Sequence, residues 1–315
     1  MNLFINKNEQ RLRAGWRLLI QFIVFFLLAG LAYLVLHQIR SMPAPLSEAI
    51  PSFIGFILST WIAARFLDKR SFLDFGLHFD RIWRNDFLVG VLIGTIAMSV
   101  IFGIEWSLGW LGITGFGWQS ASRGSFGWSI MASFLAMLLV GFHEELFSRG
   151  YQILNLSEGL NYPRLSARGA VMLSVLLTST LFGSLHLFNP NASAVSTFNI
   201  ILAGIALAIP YVLTGSLALS IGLHFSWNFV QGGVFGFPIS GMALPNSIIR
   251  INQAGTDLWT GGAFGPEAGL TGILGITIIA ALACVYIKVT RGTLAIDNKF
   301  GRYNYGSLKS DEHKP

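Results

Sequence analysis

Eight apolar stretches divide this chain of 315 residues. A helix that crosses a bilayer needs about 20 mostly apolar residues, and each stretch is close to that length. Unpaired backbone groups are too costly in hydrocarbon, so these stretches are expected to be helical. The sequence therefore predicts an all-α, polytopic membrane bundle of about eight helices, near 16–37, 47–66, 86–109, 126–153, 168–188, 193–214, 216–233 and 267–288.

The charge content supports lipid, rather than water, as the main solvent of the chain. Only 11% of the residues are charged and 53% are hydrophobic, whereas soluble domains carry about 25% charged residues. The net charge of +6 does not indicate a nucleic-acid partner, because the basic residues lie at helix ends and in short loops. The single cysteine, Cys284, excludes an intrachain disulfide and a thiol-ligated metal cluster.

The basic residues also predict an orientation. In the eight-span arrangement, 18 of the 21 Lys and Arg residues fall on one side, which the positive-inside rule assigns to the cytoplasm. Both termini are then cytoplasmic, and the opposite side holds Arg40, Arg123 and Arg250. The non-cytoplasmic segment at about 234–266 is rich in Gly, Pro and Asn, which is typical of a loop. It could cover one mouth of the bundle.

Two adjacent glutamates end the apolar run of the fourth span. A charge at mid-bilayer costs about 2.5–3.5 kcal/mol, so charged residues there usually face a cavity or a partner. Glu145 and Arg149 share a helix face at i,i+4 and can pair, whereas Glu144 points about 100° away. Glu145 is therefore interpreted as tied to Arg149, and Glu144 as free to act as a base. The alternative interpretation is that both glutamates only mark the membrane surface.

Two further spans carry polar residues at helical spacing. Phe182 and His186 share one face of the fifth span, and His224 and Asn228 share one face of the seventh. Histidine suits general acid–base work near neutral pH; the simpler interpretation is an interfacial histidine or a polar clasp between helices. With Glu144, these residues supply a base, two histidines and an oxyanion donor, the groups that hydrolysis requires.

A glutamate and two histidines also resemble a zinc ligand set. The His-Glu-x-x-His motif of zinc proteases is absent, because the run that begins with His143 and Glu144 has Phe147 in the place of the second histidine. No cofactor is certain from these residues. If a divalent metal such as zinc takes part, its expected ligands are Glu144, His186 and His224.

Three short motifs resemble, in order, the signature of the CPBP intramembrane proteases. The motifs are Glu144-Glu145-x-x-x-Arg149, Phe182-x-x-x-His186 and His224-x-x-x-Asn228. This family joins the type II CAAX prenyl endopeptidases to bacteriocin-processing and Abi-type immunity proteins. The segment 11–17 is also similar to the start of many bacterial members. The resemblance covers about 125–235.

The resemblance implies an intramembrane endopeptidase in which Glu144 activates water, His186 and His224 assist, and Asn228 stabilises the oxyanion. Three further residues would support the site: Glu145, Arg149 and Phe182. The substrate would be a membrane-anchored peptide or protein, and the location a bacterial plasma membrane. Members of the family are described both as metalloproteases and as metal-free glutamate enzymes, so the metal question stays open.

These expectations divide the chain into four regions. Residues 1–124 form an N-terminal region with three spans, and 125–235 form the catalytic core. Residues 236–290 contain the non-cytoplasmic loop and the last span, and 291–315 form a polar cytoplasmic tail that is expected to be flexible. The oligomeric state does not follow from the sequence.

Two other functions stay open. An immunity or scaffold protein would keep the fold without catalysis, and its motif residues would be dispensable. A small-solute transporter would bind its solute with the Glu–Arg pair and the histidines. It would also show internal repeats with interrupted helices, and no repeat is evident. The three intact motifs favour the enzyme.

An active site that contains both Glu144 and His186 requires the two residues to lie at the same depth in the membrane. Glu144 and His186 both lie near the C-terminal ends of spans that run in opposite directions, which would separate them across the membrane. They can meet only if the fourth helix continues past Arg149, to about Leu154. We therefore predict a long, tilted fourth helix.

Other features are expected to be structural. Three polar residues near span ends are expected to be interfacial: His143, Glu48 and Glu105. The pair Gly90-x-x-x-Gly94 is a weak signal for close packing between two helices.

Overall fold

The computed structural model describes residues 3–39, 42–119, 123–297 and 299–303. Its α-helices within these ranges are α1 (Ala14–Leu36), α2 (Ala44–Ile62), α3 (Arg81–Ser107), α4 (Arg123–Glu145), α5 (Leu154–Leu160), α6 (Ser166–Leu185), α7 (Ala194–Thr214), α8 (Ala218–Asn228), α9 (Asp257–Thr260) and α10 (Leu270–Arg291). Its strands are β1 (Ile5–Asn6), β2 (Arg11–Leu12), β3 (Leu111–Phe116) and β4 (Ile249–Gln253). β1 pairs with β2 and β3 with β4, both antiparallel.

Seven helical segments of the described chain are long and apolar enough to cross a membrane. The predicted all-α polytopic bundle is therefore confirmed, and the chain is an integral membrane protein. The predicted span 216–233 is shorter than the others: α8 has 11 residues and continues for 6 more as a π-helix, Phe229–Val234. Every residue of α8 is buried, so this helix is surrounded by protein rather than by lipid.

The fourth helix does not stop at the two glutamates. After α4 the chain continues through a π-helix, Leu146–Ile153, into α5, and the combined helix covers 36 residues, Ser125–Leu160. The predicted continuation past Arg149 is confirmed. Glu144 consequently lies near the middle of a long helix, and the π-helix, a form often found at functional sites, begins directly after Glu145.

The buried helix α8 packs closely against α3 through glycines. A Cβ atom at Gly90 would lie 2.5 Å from the carbonyl oxygen of Leu219. A Cβ atom at Gly94 would collide with the hydroxyl of Ser226. Only glycine allows the two backbones to approach this closely, so the predicted packing role of Gly90-x-x-x-Gly94 is confirmed. This contact holds α8, and with it His224, at a fixed place in the bundle.

The segment between α8 and α10 is more regular than the predicted loop. Residues 249–253 form β4, which pairs with β3 and sets Ile251 opposite Ile113; β-branched residues favour such pairing. A tight turn joins Ile239 to Met242 through a β-bridge. This turn and the residues up to Pro245 line the cavity described below. The loop prediction is therefore wrong for β4 and α9, while part of the segment does cover a cavity.

Five charged side chains meet where the N-terminal segment, the end of α2 and α5 come together. We call them the arginine cluster: Arg11, Arg17, Asp68, Arg70 and Glu158. Arg11 Nη2 lies 2.6 Å and Arg70 Nη2 2.5 Å from carboxylate oxygens of Glu158, and Arg17 pairs with Asp68. All five residues are at most 7% exposed. Ion pairs of the cluster thus link the segment 11–17, which resembles the start of the family, to the long fourth helix.

The tail after α10 packs in part against the bundle. Phe300 is 3% exposed, and its ring meets that of Tyr211 edge-on, with 5.1 Å between the ring centroids. The backbone N–H of Asp297 donates to the Val212 carbonyl at 2.8 Å. The predicted flexibility of the tail is therefore wrong at Phe300. For residues 304–315, which lie outside the described residues, it stays a prediction.

Candidate active site

The two adjacent glutamates at the end of α4 have different surroundings. The Glu145 side chain is completely buried. The Glu144 side chain is 27% exposed and lines a partly open cavity of about 450 Å³. Successive helical residues point about 100° apart, so one carboxylate faces the protein interior and the other faces the cavity. As predicted, the two glutamates differ: the Glu145 carboxylate is buried, and the Glu144 carboxylate is accessible from the cavity.

Glu145 is held by an arginine and a histidine at once. Arg149 Nη1 donates to Glu145 Oε1 at 2.8 Å, which is the predicted i,i+4 ion pair. Arg149 Nη2 also donates to the Gly204 carbonyl at 3.1 Å, and its guanidinium lies 4.5 Å from the centroid of the Phe182 ring. Arg149 therefore connects α6 and α7 to the fourth helix, and Phe182 supports it as an aromatic face.

His224 joins the two glutamates. Its Nδ1 lies 2.7 Å from Glu145 Oε1, and its Nε2 lies 3.7 Å from Glu144 Oε2. An ionised carboxylate only accepts hydrogen bonds, so Nδ1 carries a proton and donates it to Glu145. Nε2 is thereby directed at Glu144. The contact between Glu145 and His224 crosses 79 positions of sequence, and no local spacing could have indicated it.

His186 is fixed by its own helix. Its Nδ1 lies 2.7 Å from the Phe182 carbonyl oxygen. A carbonyl only accepts, so Nδ1 is the protonated nitrogen, and Nε2 of a neutral ring is left as an acceptor. The rings of Phe182 and His186 are 4.8 Å apart. The shared helix face of Phe182 and His186, inferred from their spacing, thus positions the imidazole.

The three motifs meet on one cavity. Glu144, His186, His224 and Asn228 all line it, so Glu144 and His186 face the same space and are not on opposite sides of the bundle. Asn228 is 8% exposed, and its amide makes no hydrogen bond with any other residue that the structure describes. Its amide is therefore available to a molecule that enters the cavity. A carboxylate, two imidazoles and an amide around one space can support acyl transfer to water.

Three residues that were expected to be interfacial lie inside the protein or on the cavity. His143 is 3% exposed, and its ring stacks on Phe56 with 5.0 Å between the centroids. Glu48 lines the cavity from α2. Glu105 is fully buried and accepts hydrogen bonds from Gln253 at 2.8 Å and Thr271 at 3.0 Å. The interfacial interpretation is wrong for His143 and Glu105 because neighbouring helices and the β3–β4 segment cover them.

A third cavity carboxyl, Glu267, was missed by the sequence analysis. Its Oε2 accepts from Gln231 Nε2 at 2.7 Å and from the backbone N–H of Ser240 at 3.2 Å. Glu267 lies in the short turn just before α10 and is 6% exposed. Burial raises the pKa of its carboxyl to about 7. The only signal in the sequence was an isolated acidic residue in a Gly-rich apolar segment.

The expected metal ligands Glu144, His186 and His224 line one cavity. As placed, the described residues contain no group of three His, Cys, Asp or Glu side chains that could hold a metal ion. His224 Nδ1 donates to Glu145 and His186 Nδ1 to the Phe182 carbonyl, so Nε2 is the nitrogen that each ring would offer to a metal.

The fold is a membrane-embedded helical bundle, and its cavity brings together a carboxylate, two imidazoles and an amide. Residues 126–230 match the family model described as type II CAAX prenyl endopeptidase Rce1-like. The matched segment is about a third of the chain and contains all three motifs. This segment is therefore similar to a family of CAAX-protease-type hydrolases. No curated protein and no solved structure matches the chain.

Proposed function

We propose that this protein is an intramembrane endopeptidase that hydrolyses a peptide bond of a membrane-anchored substrate. One observation carries the proposal. Glu144, His186, His224 and Asn228, which lie in separate motifs of the matched domain, line a single cavity, with His224 Nε2 3.7 Å from Glu144 Oε2. The mostly apolar lining of the cavity suits a substrate that arrives from the bilayer.

In the proposed first step, the Glu144 carboxylate takes a proton from a water molecule. The water oxygen attacks the carbonyl carbon of the scissile peptide bond. His186 Nε2, which is left as an acceptor, holds the second hydrogen of the water. The carbonyl oxygen becomes an oxyanion and accepts a hydrogen bond from the Asn228 amide.

In the proposed second step, the proton on Glu144 passes to the leaving nitrogen and the C–N bond breaks. His224 Nε2 can accept a hydrogen bond from Glu144 while that carboxyl is protonated. Glu145 and Arg149 keep the imidazole of His224 in the required orientation. The products are a new carboxyl terminus and a new amine, so water is the only co-reactant.

We propose a bacterial plasma membrane as the location, with both termini cytoplasmic. The support is the distribution of 18 of the 21 Lys and Arg residues on one side. Lys309 and Lys314, which belong to these 18, and Arg40 of the opposite side lie outside the described residues. The division into 1–124, the catalytic core 125–235, 236–290 and the tail 291–315 is part of the same proposal.

The test uses purified protein in lipid nanodiscs with a mixture of acylated peptides, and mass spectrometry identifies the products. The wild type is expected to release products, and Glu144→Gln and His224→Ala are expected to release none. Glu105→Gln is the matched control, since it changes a buried carboxyl outside the cavity. A chelator arm separates metal-dependent from metal-free cleavage.

The other outcomes discriminate between the rival functions. Cleavage that survives both substitutions would sink the mechanism. A wild type that cleaves nothing in any membrane would favour the immunity or scaffold protein. Saturable uptake of a small solute into liposomes would favour the transporter.

A further inference from the structure

The π-helix that follows Glu145 carries the arginine on which the orientation of His224 depends. Arg149 lies in this π-helix, Leu146–Ile153, and donates to Glu145, which also accepts from His224. Segments of π-helix are rare, and they occur frequently at functional sites. The contacts that hold this π-helix in place therefore also bear on the position of the catalytic imidazole.

The helix α7 holds two successive residues of the π-helix. The Gly204 carbonyl accepts from Arg149 Nη2 at 3.1 Å, and the Tyr211 hydroxyl donates to the Gly150 carbonyl at 3.2 Å. Gly204 and Tyr211 are about two helical turns apart, so they lie on one face of α7. The Tyr211 hydroxyl thus fixes the backbone directly beside Arg149.

The tail of the chain covers Tyr211. Four tail residues make these contacts, and we call them the tail anchor: Asp297, Lys299, Phe300 and Gly301. The centroid of the Phe300 ring lies 5.1 Å from that of Tyr211, and Lys299 Nζ lies 4.6 Å from the same Tyr211 centroid. With these side chains beside it, Tyr211 is 0% exposed. The ring is therefore packed on the side of the tail while its hydroxyl reaches the π-helix.

The tail anchor also joins α7 to the long fourth helix. The backbone N–H of Asp297 donates to the Val212 carbonyl of α7 at 2.8 Å. The Gly301 N–H donates to the Ser157 hydroxyl at 3.3 Å, and the Gly301 carbonyl accepts from the Asn161 amide at 2.5 Å. Ser157 belongs to α5 and Asn161 directly follows it. The anchor thus links the two helices that hold Arg149, although the tail lies outside the matched segment 126–230.

We propose, on the basis of the endopeptidase function above, that Tyr211 is a positioning residue of the active site and that the tail anchor holds it in place. The Tyr211 hydroxyl sets the position of Gly150 and, with it, the direction of the Arg149 guanidinium. Arg149 in turn keeps Glu145 in place as the acceptor for His224. Neither Tyr211 nor the tail anchor lines the cavity, so their loss changes the rate of the chemical step rather than the binding of the substrate.

Kinetics in nanodiscs test the two parts of this proposal with a peptide that the wild type cleaves. Tyr211→Phe removes only the hydroxyl and keeps the ring contact with Phe300. We expect kcat per folded molecule to fall by about tenfold with KM nearly unchanged, less than the roughly 10²-fold loss that follows a 1 Å misplacement. Phe300→Ala is expected to give a similar loss, and Phe300→Leu, which keeps an apolar group on Tyr211, to restore most of kcat.

The matched control is another tyrosine whose hydroxyl is engaged away from the π-helix and the cavity. Tyr286 donates to Asp86 at 2.7 Å, between α10 and α3. Tyr286→Phe removes this hydrogen bond in the same way as Tyr211→Phe removes the one to Gly150. It is expected to keep the kcat of the wild type.

A spectroscopic measurement at His224 distinguishes a positioning role from a merely structural one. In nanodiscs containing protein labelled with ¹⁵N-histidine, the protonated Nδ1 that donates to Glu145 gives a resonance, which His224→Ala identifies by its absence. We expect Tyr211→Phe and Phe300→Ala to shift or broaden this resonance and Tyr286→Phe to leave it unchanged. A lower folded fraction with an unchanged His224 resonance would overturn the positioning role.

The two readouts also separate this proposal from the endopeptidase proposal. If the wild type cleaves no peptide but both variants change the His224 resonance, the positioning of His224 stands and the endopeptidase function fails. If the wild type cleaves and the two variants leave kcat and the resonance as they were, the endopeptidase function stands and the role of Tyr211 fails. A change in only one of the two quantities in an active enzyme also overturns the route from Tyr211 to His224.

Discussion

The protein buries charge in two regions that use it in opposite ways. In the arginine cluster, Glu158 lies 2.6 Å from Arg11 and 2.5 Å from Arg70, and Asp68 pairs with Arg17. In the cavity, the one ion-pair contact of Glu144 among the described residues is a His224 nitrogen 3.7 Å away. Both regions contact the same long helix, Ser125–Leu160. One region links the helix to the N-terminal segment, and the other leaves the Glu144 carboxylate accessible on it.

The difference shows how a buried carboxylate can be assigned to structure or to chemistry. Charges that are matched inside the protein hold elements together, and breaking one pair leaves its partner uncompensated. Charges that face a cavity without a matching partner are available to a ligand. Glu145 belongs to the first group, since it is buried and pairs with Arg149, but it also orients His224, which lines the cavity.

Replacing Glu144 should have the largest effect on activity and little effect on stability. Glu144→Gln keeps the size of the side chain but cannot take a proton from water. We expect kcat to fall by roughly 10²–10⁴-fold, the range for loss of a general base, with the thermal midpoint nearly unchanged. Peptide cleavage and thermal unfolding in nanodiscs measure both. An active Glu144→Gln variant would remove the cavity from catalysis.

Replacing Glu158 should give the converse result. Glu158→Gln removes the ion-pair partner of Arg70 and leaves Arg11 with Glu9 and Asp68, so we expect a loss of about 3–5 kcal/mol in the free energy of unfolding. The activity per folded molecule should stay close to that of the wild type. Denaturant unfolding and active-site-normalised cleavage test this. A loss of kcat in fully folded protein would show that the two regions do not divide the roles.

Replacing Glu145 should affect both properties, because it lies between Arg149 and His224. Glu145→Gln is expected to lower kcat by about 10²-fold, since small misplacements of catalytic groups have effects of this size, while KM stays nearly constant. A purely structural role would lower the folded fraction without this kcat-specific loss. Steady-state kinetics on folded protein, with Glu105→Gln as control, separates the two.

The smallest effect concerns pH. Burial raises the pKa of Glu267 to about 7, above the ordinary value of 4.5, so its contribution to stability is complete below about 4.5 and is lost as the pH rises through about 7. The thermal midpoint of the wild type should therefore fall relative to that of Glu267→Gln between these pH values, by a few degrees. A constant difference between the two proteins across that range would contradict a buried, protonatable Glu267.

Local periodicity was sufficient to predict the helices and the motif faces. The i,i+4 spacing of Glu145 and Arg149 predicted an ion pair that the structure contains. The requirement that Glu144 and His186 lie at the same depth in the membrane predicted that the fourth helix continues past Arg149. These features depend on residues within one or two helical turns. The inward position of α8 was not predicted, because an apolar helix has the same hydropathy pattern whether protein or lipid surrounds it.

Contacts between distant segments could not be predicted. The bond from His224 to Glu145 and the position of Glu267 on the cavity depend on how α8, α10 and the fourth helix pack. Glu105 lies at a span end, yet Gln253 and Thr271 reach it from residues far along the chain. Burial by such segments decides whether a polar residue is interfacial, structural or available for chemistry.

The most direct test of the central claim is a single-turnover cleavage in water enriched in ¹⁸O. If Glu144 activates water in this cavity, the new carboxyl terminus of the product carries one ¹⁸O atom in the wild type, and Glu144→Gln forms no such product on the same time scale. Product that forms at the wild-type rate in Glu144→Gln, or that lacks ¹⁸O, would contradict the account.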